Sequence, residues 1–180
     1  VYDHLRSAVE AARVVDRRRA IEDDGMRGSR KVEATVTQTI VEFDGRLARA
    51  FSAMVAWQFD LHWRSTETSA LPIPRSEQWA LGGATTVRGY AEERFLGERI
   101  AYGGTEVVLG PEGGGQGFVF LDLGWLRATG AESVDERWLR GFGVGLRSPT
   151  ALGAVDLSLG FAERVGFDAG KLHLVLVRGF

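Results

Sequence analysis

The chain contains no cysteine, which excludes a disulfide scaffold and thiolate metal sites. No stretch approaches the roughly 18 consecutive apolar residues of a membrane-spanning helix. The opening VYDHLRSAVEAARVVDRRR lacks the apolar centre of a signal peptide. Neither charge sign is in excess: 22 Lys and Arg face 24 Asp and Glu, so no nucleic-acid partner is expected. The three histidines, His4, His62 and His173, do not share metal-ligand spacing. GPEGGGQG is not followed by the Lys-Ser/Thr of a phosphate-binding loop, and no serine lies in a G-x-S-x-G context. The residues therefore point to no enzyme, metal or cofactor. The chain starts with Val, and the expectation is a piece of a longer protein.

What the chain does have is alternation. Residues 1–24 are charged and carry Leu5, Val9, Ala12 and Val15 at helical spacing, so 1–30 is expected to be a helix-prone segment or an extracellular loop. From residue 31 the period is two. In VEATVTQTIVEF (32–43), Val32, Ala34, Val36 and Ile40 oppose Glu33, Thr35, Thr37 and Thr39, and FDGR then supplies an Asp-Gly hairpin turn. In 49–63, Phe51, Ala53, Val55, Trp57, Phe59, Leu61 and Trp63 oppose Ser52, Met54, Gln58, Asp60 and His62. Clear strands follow at 118–127, 151–161 and 171–180, with weaker, glycine-richer ones at 99–109 and 138–147. The fold class is all-β, with about seven antiparallel strands over 31–180.

Period two also describes a soluble sandwich, but strand and loop lengths lean elsewhere. The usual soluble strand has about five or six residues, whereas a tilted transmembrane strand needs about 9–11. Short connections (FDGR, GPEGGGQ, RSPT) alternate with long ones (64–98, 128–137, 162–170), the pattern of an outer-membrane barrel with short periplasmic turns. Trp57, Trp63 and Trp125 suit interfacial girdles.

A charge on the lipid face costs about 2–4 kcal/mol at the midplane. Asp122, on the polar side of FLDLG, is therefore expected to face the lumen and to need a cation. Arg88, on the long connection, has the reach and the planar fork to supply one. Gly89 permits a tight backbone turn beside it and Tyr90 adds a flat body with a polar tip. The expectation is a latch, a loop folded inward and pinned by Arg88 to Asp122. Glu106, in phase with Tyr102 and Gly104, is a further polar group of the lumen and a candidate to hold the loop. Gly141, Gly143 and Gly145 either make room for that loop or curve the barrel. Arg147 and Asp156 are expected to pair across the SPT turn.

The segments GGATTVRGYAEERFLGERIAYGGTEVVL, VFLDLGW and GFGVGLRSPTALGAVDLSL resemble the C-terminal half of the BamA/TamA bacterial surface-antigen barrels, a superfamily that includes two-partner-secretion transporters. The motifs that carry the likeness are Val87-Arg88-Gly89-Tyr90 and Phe120-Leu121-Asp122-Leu123-Gly124. The resemblance implies a transmembrane β-barrel in the bacterial outer membrane whose loop Arg contacts the strand Asp. It also implies partners: outer-membrane lipid, the barrel assembly machinery, and unfolded β-rich polypeptides of outer-membrane or secreted proteins. Leu172, Leu174, Leu176 and the terminal Phe180 fit the insertion signal such barrels carry on their last strand. GERIAYGGTEVVL and SPTALGAVDLSL look closer to assembly factors than to secretion pores. The readings left open are a secretion pore, the membrane anchor of a larger protein such as a patatin-like lipase, and a soluble sandwich.

Overall fold

The structure is a computed structural model that describes residues 5–21, 34–69, 73–130, 133–151 and 153–177. Eight strands form one antiparallel sheet: β1 (Leu5–Ile21), β2 (Ala34–Ala50), β3 (Val55–Thr68), β6 (Arg99–Leu109), β7 (Gln116–Thr129), β8 (Val134–Thr150), β9 (Gly153–Ala162) and β10 (Lys171–Val177), in that spatial order. The sheet does not close on itself, and β1 and β10 are its edges. Two short strands in the long connection, β4 (Trp79–Leu81) and β5 (Phe95–Gly97), pair with each other. No helix among the described residues is long and apolar enough to cross a membrane, which has no bearing on crossing by strands.

The two faces of the sheet invert the rule of a water-soluble domain. On β7, Val119, Leu121 and Leu123 are exposed on the outer face, while Phe118, Phe120, Asp122 and Gly124 are buried on the inner one. The same phase runs through Phe59 and Leu61 on β3, Val144 and Leu146 on β8, Leu157 and Leu159 on β9, and Leu172, Leu174 and Leu176 on β10, all exposed. The buried polar residues Glu106, Ser158 and His173 lie inside. An apolar outside with a polar inside is what lipid on one face and water or protein on the other select. Trp63 stacks on Trp125 (6.0 Å between centroids) and Trp138 pairs with Trp125, all near one end of the outer face. Trp57 lies near the opposite end, where its indole N–H donates to Thr105 Oγ1 (2.7 Å).

This arrangement makes a direct prediction. Leu121→Arg, at the middle of β7's outer face, should destabilise the folded full-length protein by about 2–4 kcal/mol in lipid vesicles. A urea titration measures it; an unchanged midpoint would show that this face does not meet lipid.

Three local expectations are corrected. Leu5–Ile21 is neither helix nor irregular loop but a strand paired along its length with β2. A bulge between Val9 and Ala11 accounts for the first three of the helically spaced positions, whereas Val15 pairs with Ile40 in the opposite phase. Leu5, Val9 and Ala12 pair with Arg49, Gly45 and Phe43, which alternate strictly in β2, so one extra residue turns period two into a four-then-three interval. FDGR is not a turn: β2 runs through it, and the reversal falls at 51–54, where the Phe51 and Ser52 amides donate to Val55 O. Asp44 is drawn to the inner face by His62 and Arg64, and the Phe43 ring covers the space a Gly45 side chain would fill. Finally, β7 and β8 extend to Thr129 and from Val134, which leaves only 130–133 between them in place of the long connection expected at 128–137.

Candidate functional site

The connection between β3 and β6 returns over the inner face of the sheet as a hairpin. β4 and β5 form its neck, held to the sheet where Glu98 N donates to Arg127 O (3.0 Å) and Thr66 N to Glu98 O (2.8 Å). The Glu98 carboxylate accepts from Thr129 N (2.7 Å) and Thr129 Oγ1 (2.5 Å), a brace the sequence reading did not find. The tip, 82–94, is self-supporting. Gly82 N donates to Thr86 Oγ1, Glu93 N to Gly82 O, and Ala84 N to Glu92 Oε1. Gly82, Gly83 and Gly89 have φ of 107°, 112° and 94°, a region that favours glycine.

Val87, Arg88 and Gly89 each find a different receptor. Val87 is wholly buried with Leu81, Ile100, Leu126 and Leu139, and its methyl group occupies the space over Gly124 where a Cβ would stand. The Arg88 guanidinium makes a fork on Asp122, Nε to Oδ2 (2.8 Å) and Nη2 to Oδ1 (2.7 Å), and the Arg88 backbone N–H donates to Oδ2 as well (2.9 Å). Its remaining nitrogen, Nη1, donates to Glu106 Oε1 (2.7 Å). The guanidinium carbon sits 3.5 Å from the centre of the Phe120 ring, a cation–π contact away from bulk water. Asp122 is 2% exposed, so the arginine's charge and donors offset the cost of burying that carboxylate.

The Arg88–Asp122 pair is one end of a longer chain of charge. Glu106 Oε2 accepts from Arg147 Nη2 (3.3 Å), and Arg147 Nε and Nη2 donate to Asp156 (2.7–3.0 Å). The alternation Asp122–Arg88–Glu106–Arg147–Asp156 thus ties β7, the loop, β6, β8 and β9 together, with Arg147 over Phe118 (5.1 Å). Among the described residues no buried side-chain nitrogen or oxygen lacks a partner. A second cluster lines β2 and β3: His62 lies between Asp44 (2.5 Å) and Asp60 (3.3 Å), Arg64 reaches Asp44 (2.6 Å), and Tyr102 stacks on His62.

Of the residues expected at the site, Val87, Arg88, Gly89, Phe120, Asp122, Gly124 and Glu106 come together. Tyr90 turns aside: its hydroxyl meets the backbone of Arg140 and its ring packs edge-on against Phe95. Leu172, Leu174 and Leu176 are on the opposite, outer face, and Phe180 lies outside the described residues. The three β8 glycines divide between two tasks. Gly141 receives the Arg88 carbonyl, whereas Gly143 and Gly145 receive the Phe120 and Phe118 rings beneath the two arginines. Gly160 and His173 complete the receptor and were not anticipated. Both stand at inner-phase positions of β9 and β10, which is the only sequence signal that marks them.

A sheet that is apolar outside and charged inside, with a connecting loop seated on the charged face, defines a part of a transmembrane β-barrel of the outer-membrane kind. Comparison with known families makes the class specific. The family Haemolysin secretion/activation protein ShlB/FhaC/HecB matches residues 4–148 of the 180, and the chain belongs to it. This is a family of outer-membrane polypeptide-secretion proteins, not of enzymes, and it falls within the same superfamily as the surface-antigen barrels. No curated protein matches the chain.

Proposed function

We propose that this chain forms the C-terminal part of an outer-membrane barrel that exports a secreted, β-rich polypeptide, and that its 82–94 loop is a luminal latch pinned by Arg88. The observation that carries the latch is the complete use of one guanidinium, with two nitrogens on Asp122, one on Glu106 and the plane on Phe120. An arginine so committed serves position, not chemistry. The family match favours export over the insertion role that GERIAYGGTEVVL and SPTALGAVDLSL suggest. The unfolded substrate is proposed to enter from the periplasm and pass the latch, and the barrel itself is proposed to reach the membrane through the assembly machinery.

The test is reconstitution of the full-length protein in lipid vesicles with an unfolded, β-rich secreted polypeptide on the periplasmic side. Movement of that polypeptide to the opposite side, read by protease protection, is the expected result. Accelerated folding of an outer-membrane barrel into the same vesicles, with no translocation, would make the protein an insertion factor and overturn the export reading.

A further inference from the structure

The Arg88–Gly89 backbone crosses four consecutive strands, and each contributes to its seat. Asp122 on β7 takes the Arg88 N–H and guanidinium, Gly141 on β8 lies under the Arg88 carbonyl, Gly160 on β9 lies under the Gly89 nitrogen, and His173 on β10 takes the Gly89 N–H. The last contact runs from Gly89 N to His173 Nε2 at 3.1 Å, and His173 is 7% exposed. A backbone N–H only donates, so Nε2 must be the unprotonated ring nitrogen and the proton must sit on Nδ1. A proton on Nε2 removes the acceptor and sets two donors face to face.

We infer that His173 is a positioning residue of the latch, a second catch that ties the loop tip to the edge strand β10 and that opens when its imidazole is protonated. This rests on the latch reading above and extends it, because Arg88 and Asp122 anchor only the β7 side of the tip. The charged groups around the ring come from every element near it: Glu92 (Oε1 3.9 Å from Nδ1) and Arg88 on the loop, Asp122 on β7, and Lys171 on β10. On β9 the paired residue is Ser158, which is uncharged, with Asp156 the next inner position. Glu92 is largely exposed and already accepts from Ala84 N, and Asp122 is occupied by Arg88, so no free carboxylate is dedicated to an imidazolium. Protonation would also place a second cation beside the Arg88 guanidinium.

The test uses the full-length protein in vesicles with a nitroxide on Thr85→Cys, this chain being free of cysteine. Spin-label mobility is read between pH 8 and pH 5. With His173 intact, the mobile-to-immobile ratio should rise about fivefold on acidification through the imidazole range, the effect of losing one ordinary hydrogen bond. His173→Gln, which keeps an acceptor but does not titrate, should hold the label immobile at both ends. His173→Phe should show the acid-state mobility throughout. An immobile label at every pH in the native and Phe forms overturns the proposal. So does a Gln form with the native pH response. Asp122→Ala separates the two ideas: a label still immobile there sinks the latch itself, whereas a mobilised label with no response at His173 leaves the latch standing without its second catch.

Discussion

Arg88→Ala in the full-length protein should release the loop from the inner face, at a cost to docking of about 3–5 kcal/mol, the range for removing one partner of a buried ion pair. The size follows from what is left behind. Asp122, 2% exposed, loses both guanidinium bonds and keeps only the Arg88 backbone donor, and Glu106 loses its shortest partner. Arg88→Lys should restore little, because one ammonium cannot occupy two oxygens of Asp122, reach Glu106 and stack on Phe120 together. Protease cleavage within the loop measures docking, because a seated tip holds its backbone against the sheet and a released one can enter a protease cleft. The double variant Arg88→Ala/Asp122→Ala should cost less than the sum of the two singles, since each single strands the other's charge. Native resistance to cleavage in both singles would mean that the loop is seated by something else.

Gly160→Ala and Gly141→Ala should each unseat the loop although every residue of the ionic network is retained. A methyl group at Gly160 would meet the Gly89 nitrogen and the Arg88 carbonyl carbon at 2.6 and 3.1 Å, and one at Gly141 would overlap the Arg88 carbonyl oxygen. Both obstructions are backbone, which cannot swing aside, so each cost belongs at or above the top of the about 1–3 kcal/mol seen for overpacking. Neither glycine has positive φ, so alanine leaves the strands themselves unstrained. Gly117→Ala is the control, its nearest neighbour being 4.0 Å away. The expected result is a barrel that still migrates as folded on a gel but whose loop is cut as readily as in Arg88→Ala. Full protection in Gly160→Ala would show that the tip does not rest on β9.

These two predictions divide along the line between what a single strand carries and what several strands assemble. Asp122 was legible because a carboxylate in the middle of FVFLDLGW is too costly on an apolar face, so one strand's alternation already places it inside. Arg88 followed as the nearby cation with the right geometry, and Glu106 from its phase with Tyr102 and Gly104. The seven strands from residue 31 onward were legible for the same reason, period two over long runs. Local chemistry misled where a contact from another strand overruled it. Asp44-Gly45 reads as a turn until His62 and Arg64 hold Asp44 inside, and Leu5–Ile21 reads as helical until its bulge is seen against β2.

The sequence by itself determined that this is an all-β chain with one face for lipid, an acidic group that must face inward, and an arginine to meet it. Only the tertiary structure decided where the loop lands. Its Arg88–Gly89 backbone is received by Asp122, Gly141, Gly160 and His173, on β7, β8, β9 and β10, which are separated by 19, 19 and 13 positions along the chain. Nothing in a strand's own alternation says which glycine lies under a carbonyl or which histidine meets an amide. Those are settled by register between strands, which places Gly141 beside Asp122 and Gly160 beside Gly143, and by a loop backbone that fits where no side chain intrudes.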